Sequence, residues 1–414
     1  IILKTSQVLI FNFCHFMKVE LSTFHRFLFR YRLTMFCTYF QSSQITVRIR
    51  ILFVNCVEMI SLDDACGDDE NPQPADTFDR QAMLTHWADQ IIVPAYTAFA
   101  EKTAALQEAT EAFATDPTEA NLLPLRAAWE NAYLGWQKVG MFEIGKAEEL
   151  LLTNNLNIYP VDVMALEANV SSGTYNLELP STNDQQGFPA LDYLLYGLSS
   201  TPAEVVAIYA TNESYRAYLQ AVATRINSLA QTVLNDWTSR YRDEFVANNG
   251  NSATASVDRF VNDYIFYYEK HLRAGKVGIP AGVFSGAPLE NTVEAYYRRD
   301  FSKTLLLASF DAVQDFFNGK SFAGNSTGPS LAAYLTDLNA EKNGIPLAEA
   351  INEQFNQTRT QAALLADDFT QQIATDNTVM LATYDQLQVN VINLKLDMLQ
   401  RLNINVDYVD ADGD

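Results

Sequence analysis

The chain has 414 residues, 48% hydrophobic and 19% charged, with a formal net charge of −22. That is the composition of a folded protein long enough for two or three ordinary domains, and no run of eighteen uninterrupted apolar residues marks a membrane span. Residues 1–60 hold a net +5, which leaves −27 for the remainder of a chain whose total is −22. A body so acidic repels phosphate backbones, so nucleic acid is excluded as a partner.

Cysteine and histidine narrow the chemistry further. Cys14, Cys37, Cys56 and Cys66 all lie at or before position 66. The body after them therefore has neither a disulfide framework nor a thiolate metal site. Beyond residue 66 the histidines are His86 and His271, and no H-E-x-x-H is present. The two-histidine zinc site of common peptidases cannot be assembled from this set.

Residues 1–66 read as a leader rather than as folded structure. Arg48 and Arg50 before the apolar run 51–57 resemble a signal peptide, although Glu58, Asp63 and Asp64 interrupt it. Ala65 precedes Cys66, and residues 67–76 form an acidic, proline-bearing tether. The junction resembles a lipoprotein signal of surface-export type, with Cys66 as the lipidated residue. A lone cysteine in an unfolded leader is the alternative. The lipoprotein reading places the protein in the cell envelope, anchored by lipid at the outer membrane or cell surface.

From residue 77 the apolar spacing is helical almost throughout, and the expected fold is all-α, with two tandem helical-bundle domains over 77–247 and 252–403 and an acidic tail over 404–414. Ile91, Ala95, Phe99 and Leu106 share one face, with Pro94 placed to kink that helix. Leu125, Trp129, Ala132, Trp136 and Val139 step by four and three, the seam of a bundle helix. Thr201-Pro202 reads as an N-cap with proline in the first turn. A long helix follows from about Ser214 to Phe245, and 248–252 is the clearest linker. Val257, Phe260, Tyr264 and Tyr267 open the second half. Leu381, Tyr384, Leu387, Val391, Leu394 and Met398 close it. Extended structure is expected at most near 158–163 and 406–409.

Four segments carry a family resemblance: Ile91-Ile92-Val93-Pro94-Ala95-Tyr96, Arg126-Ala127-Ala128-Trp129 with Trp136 and Phe142, Gly187 through Gly197, and Gly275 through Gly286 with Glu294-Ala295-Tyr296-Tyr297. In order and spacing they resemble imelysin-like proteins over roughly 77–414. The resemblance implies a two-bundle helical fold and a role near iron or nutrient uptake. It also implies a metallopeptidase as one reading, through a G-x-H-x-x-E motif. Here that motif reads Gly187-Phe188-Pro189-Ala190-Leu191-Asp192. Proline offers no ligand and suits the first turn of a helix. Asp192 alone does not replace a His-Glu pair as a zinc ligand set.

The expected reading is a non-catalytic, ligand- or metal-binding surface lipoprotein, with an outer-membrane uptake receptor as partner. A protein-interaction module without a small ligand is the rival from another class. The expected cleft brings Gly187, Pro189 and Asp192 against Lys276, Ser285 and Tyr297. Glu130 and Glu143 are candidates to join Asp192 as oxygen ligands for a divalent or iron cation, against the plain reading of solvated faces. His271 is expected as a packed or edge histidine, and Gly275–Gly286 as an ordered loop. Asp410, Asp412 and Asp414 alternate like the start of a calcium loop but lack its closing glutamate, so a solvated tail is expected.

Overall fold

A computed structural model describes residues 77–408, all within one compact unit, Asp76–Asp414. Cys66, the tether and the last six residues, Asp410, Asp412 and Asp414 among them, lie outside the described residues. The fold is all-α. The main helices are α1 (Val93–Thr115), α2 (Glu119–Val139), α3 (Gly187–Asp192), α4 (Glu213–Asp236), α5 (Ser256–Phe266), α6 (Ser302–Phe317), α7 (Leu347–Ala362) and α8 (Thr378–Ile392). Helix α1 packs on both α2 and α4; α8, which packs on both α7 and the π-helical stretch Tyr267–Gly278, centres the second group.

Local sequence explains the helix ends. Asp79 caps Arg80–His86 through Ala82 N at 2.9 Å, and Asp162 caps Val163–Ser172 through Ala165 N at 3.0 Å. Thr201 caps Pro202–Thr211 with Pro202 in the first turn. Pro94 does not break its helix. It follows a widened π segment, Trp87–Ile92, and has no N–H to return to Gln90. The Gln90 carbonyl instead accepts from Phe322 N at 2.8 Å, so the lost bond is replaced from the second half of the chain.

The expected seams are buried: Ile91, Ala95, Phe99 and Leu106 on the first helix, Leu125, Trp129, Ala132, Trp136 and Val139 on α2, Val257, Phe260, Tyr264 and Tyr267 in the second half. Leu381 departs from this pattern and is exposed. The core is continuous between the two groups of helices. Phe142 packs on Phe260 at 5.9 Å and on Phe316 at 5.7 Å, and Trp129 on Phe301 at 5.8 Å.

Three expectations about local structure are corrected. Residues 158–163 and 406–408 form no strand. The strand pair lies at Glu341–Lys342 and Ile345–Pro346, joined by Asn343-Gly344, both at positive φ as a tight hairpin turn requires. The segment from Gly275 stays helical through Ala281, and the loop begins at Gly282. There φ is +81°, and a Cβ would meet Ala287 carbonyl atoms at 2.2 Å. Residues 404–408, expected in a solvated tail, pack on the second group. Ile404 is buried, and Asn262 Nδ2 donates to Asn405 O at 3.0 Å.

Candidate functional site

The Tyr267–Gly278 stretch widens into π turns, which re-aims its side chains relative to an α-helix. It places Lys276 at the boundary between the two helix groups, 3% exposed. The Lys276 ammonium pairs with Glu294 and donates to Gln137 Oε1 at 2.8 Å. Glu294 Oε1 also accepts from Asn157 Nδ2 at 2.9 Å and Gln137 Nε2 at 3.3 Å, and lies 3.1 Å from Tyr133 Oη. Tyr133 donates as well to Asn157 Oδ1 at 2.6 Å. A carboxylate and an ammonium this deep survive because each is bonded several times over.

The surrounding titratable groups follow from burial. Burial lowers the Lys276 pKa, opposed by the Glu294 carboxylate. His271 is held down to about 4 by burial and then by the Lys276 charge, so its ring is neutral near pH 7. Burial, then Glu294, pushes the Tyr133 and Tyr159 phenols up. The result is a nearly charge-balanced polar cluster enclosed by aromatic rings. Its donors and acceptors are bonded to one another.

Asp192 sits at the end of α3, 2% exposed. Its two carboxylate oxygens accept from Tyr297 N at 2.8 Å and Arg298 N at 2.9 Å. Burial raises its pKa to about 7 against those two hydrogen bonds. Lys276 and Asp192 thus converge on one short segment, 294–298: Lys276 on the Glu294 side chain, Asp192 on the backbone amides that follow. Gly187 has φ +76°, and a Cβ there would meet the Leu156 carbonyl oxygen at 2.3 Å. Phe188 stacks on Tyr133 at 4.7 Å, and Trp129 Nε1 donates to Phe188 O at 3.2 Å. Pro189 is buried in the first turn of α3, where its missing N–H costs nothing.

The remaining sequence candidates separate. Ser285 is exposed and donates to Ala287 O at 2.7 Å within its own loop, away from the cluster's bonds. The Tyr297 ring stands edge-on to Tyr193 at 5.2 Å, and burial, then Asp192, pushes its phenol to about 12. Glu130, Glu143 and Asp192 do not come together as a ligand set. Glu130 accepts from Arg298 Nε at 2.7 Å and Tyr196 Oη at 3.1 Å, while Glu143 accepts from Thr153 N at 3.0 Å and its hydroxyl. Among the described residues no group of three or more His, Cys, Asp or Glu is placed to hold a metal ion.

Sequence reasoning missed Tyr133, Gln137, Asn157 and Glu294 as members of the cluster. Tyr133 and Gln137 stand four apart on the seam helix, a spacing that puts both on one face. That polar pair inside an apolar stripe was the available signal. Asn157 and Glu294 sit in irregular segments with no periodicity to betray them.

The chain has clear relatives. A family model described as Imelysin matches residues 92–393. Over 189 residues the chain is 24% identical to Iron-regulated protein A of Synechococcus elongatus, which is 44% of this chain and 46% of that protein. The match thus spans about half the length of that curated relative. Among solved structures, an imelysin-like protein from Psychrobacter arcticum has a TM-score of 0.60 at 16% identity, covering 80% of this chain and 97% of that one. A protein of Parabacteroides distasonis, provisionally named an iron-regulated protein A precursor, has a TM-score of 0.64 at 16% identity, covering 78% and 95%. At that identity the two structures bear on the fold alone. The family model spans well over half the sequence, and the chain belongs to the imelysin family.

Proposed function

We propose that this protein is a non-catalytic, ligand-binding member of its family that serves iron or nutrient acquisition at the cell envelope. The observation that carries the non-catalytic part is Asp192. It stands where the family motif places its glutamate, and both its oxygens are engaged by the Tyr297 and Arg298 amides. Pro189, at the histidine position, has no group to offer a metal or a proton. Metal-assisted hydrolysis at neutral pH needs an activated water held by a ligand set of that kind. The iron-related part is supported by the name of the Synechococcus relative. The envelope part rests on Cys66 as a lipid anchor and brings an outer-membrane receptor in as the natural partner.

The test combines binding and cleavage. Calorimetric titration of the purified chain with ferrous, ferric and manganous salts is expected to show binding. Incubation with insulin B chain is expected to leave the peptide intact. Chelator-sensitive cleavage that disappears in Asp192→Ala would overturn the reading.

A further inference from the structure

The chain past Ile404 runs along the helical rod formed by α5 and the π stretch Tyr267–Gly278. Asn262 holds it at two points: Asn262 Nδ2 donates to Asn405 O at 3.0 Å, and Asp407 N donates to Asn262 Oδ1 at 3.3 Å. Tyr408 lies one to two turns further along the rod. Its ring stands edge-on to Phe266 at 5.3 Å, and its hydroxyl donates to Glu269 Oε2 at 2.9 Å. The segment thus travels toward the C-terminal end of the rod, where the next turn holds Lys270 and Arg273. Glu269 is fully buried among three cations. Lys270 lies 3.0 Å, Lys395 3.1 Å and Arg273 3.6 Å from its oxygens. Lys395 also stands 5.2 Å over the Tyr408 ring, and Arg273 donates to Tyr384 Oη at 2.7 Å. Among the described residues, three positive charges thus meet one carboxylate, in a chain whose net charge is −22. Asp397, two residues from Lys395, pairs with Lys342 at 2.7 Å instead. Gathering cations in a low-dielectric place costs free energy unless negative charge is brought to them.

The sequence that follows Tyr408 is Val409-Asp410-Ala411-Asp412-Gly413-Asp414. We propose that Lys270, Arg273 and Lys395 form an interaction surface for an acidic, extended peptide, and that its occupant is this chain's own tail, residues 410–414. Reach and register agree. An extended chain advances about 3.3 Å per residue, so Asp410 stands about 7 Å beyond Tyr408. The rod needs about 6 Å to pass from Glu269 to Arg273. Aspartates at every second position share one face of an extended chain. The residues between them, Ala411 and Gly413, are small enough to let the backbone pass close to the rod. The docked tail ties this end of the chain to the π stretch that carries Lys276 in its last turn. Docking of the tail does not depend on what the protein binds elsewhere.

The full-length chain is treated with a water-soluble carbodiimide, which joins a carboxylate to an ammonium in direct contact, and the linked peptides are mapped by mass spectrometry. The expected links join Asp410, Asp412 or Asp414 to Lys270 or Lys395, while Lys138, exposed on α2, stays unlinked to the tail. Raising the salt to about 0.5 M is expected to cut their yield by about threefold or more. A second measurement leaves the basic surface intact. In the triple variant Asp410→Asn, Asp412→Asn, Asp414→Asn, acetylation of Lys270 and Lys395 by an activated ester is expected to quicken by about threefold or more. No tail links, tail links to other lysines only, or unchanged acetylation in the triple variant overturns the docking. A mixture of unlabelled and nitrogen-15 chains tells whose tail is bound. Links within one isotope form are expected; links that cross between the forms show a second copy's tail and overturn the assignment to the chain's own.

Discussion

Lys276→Met keeps the length and apolar stem of the side chain and removes its charge. Glu294 then remains buried, 3% exposed, with its ionic partner gone. Breaking one side of a buried pair costs about 3–5 kcal/mol. Glu294 keeps donors from Asn157 and Gln137, which places the loss toward the lower end. Gln137 Oε1 loses its donor as well, at about 1 kcal/mol. The expected loss is therefore about 3–4 kcal/mol. Glu294→Gln alone strands the ammonium, yet the amide oxygen still accepts from Asn157. The double variant has no buried charge in the pair, and its loss is expected to fall about 2 kcal/mol or more short of the summed single losses. Urea unfolding at pH 7 measures all four species, with m compared among them to verify that the unfolding transition is the same. A loss under about 1 kcal/mol in Lys276→Met, or strict additivity in the cycle, would refute the view that this pair is a buried, coupled link between the two helix groups.

Gly187→Ala forces a Cβ into the Leu156 carbonyl at positive φ and is expected to destabilise by about 2 kcal/mol or more, read from its urea midpoint. Asp192 has a folded pKa of about 7, above its unfolded value, so the folded state binds the extra proton. Its contribution is fully present below about pH 3.8 and is lost as pH rises to about 7; Asp192→Asn should flatten the fall in stability between about pH 4 and pH 7. His271 has the opposite sign, being held down to about 4, so His271→Gln should remove a loss of stability on acidification from pH 6.5 toward pH 4. Arg298→Ala breaks a partly exposed bond to Glu130 and should cost about 1 kcal/mol or less, well below Lys276→Met. Cys66→Ala is expected to move the protein from the membrane fraction to the soluble one, and retention in the membrane would place the anchor elsewhere.

Much of the fold was legible because helical packing leaves a periodic trace. The α2 seam, the Thr201-Pro202 start and the long helix near 214–245 each follow from spacing and capping chemistry that act within a few residues. The Asn343-Gly344 hairpin was equally local and was passed over because its flanking strands are two residues each. Pro189 could be read as structural from its chemistry alone, and its buried place in the first turn of α3 agrees. The bonds of Asp192 to the Tyr297 and Arg298 amides join residues 105 and 106 positions apart. No periodicity encodes such a meeting; it depends on how two helix groups dock through Phe142, Phe260 and Phe316.

Composition, charge and the missing histidines and cysteines determined what this body cannot build, because those limits hold in any conformation. Helix positions were determined too, since hydrogen bonding and apolar spacing act over one or two turns. The tertiary structure alone decided which polar groups are buried together. It set Glu294, Gln137 and Asn157 around Lys276, left Ser285 in solvent, and clamped Glu167 between Tyr193 and Tyr215. A polar side chain's role follows from its dielectric surroundings and its partners, and both are supplied by segments far away in the chain.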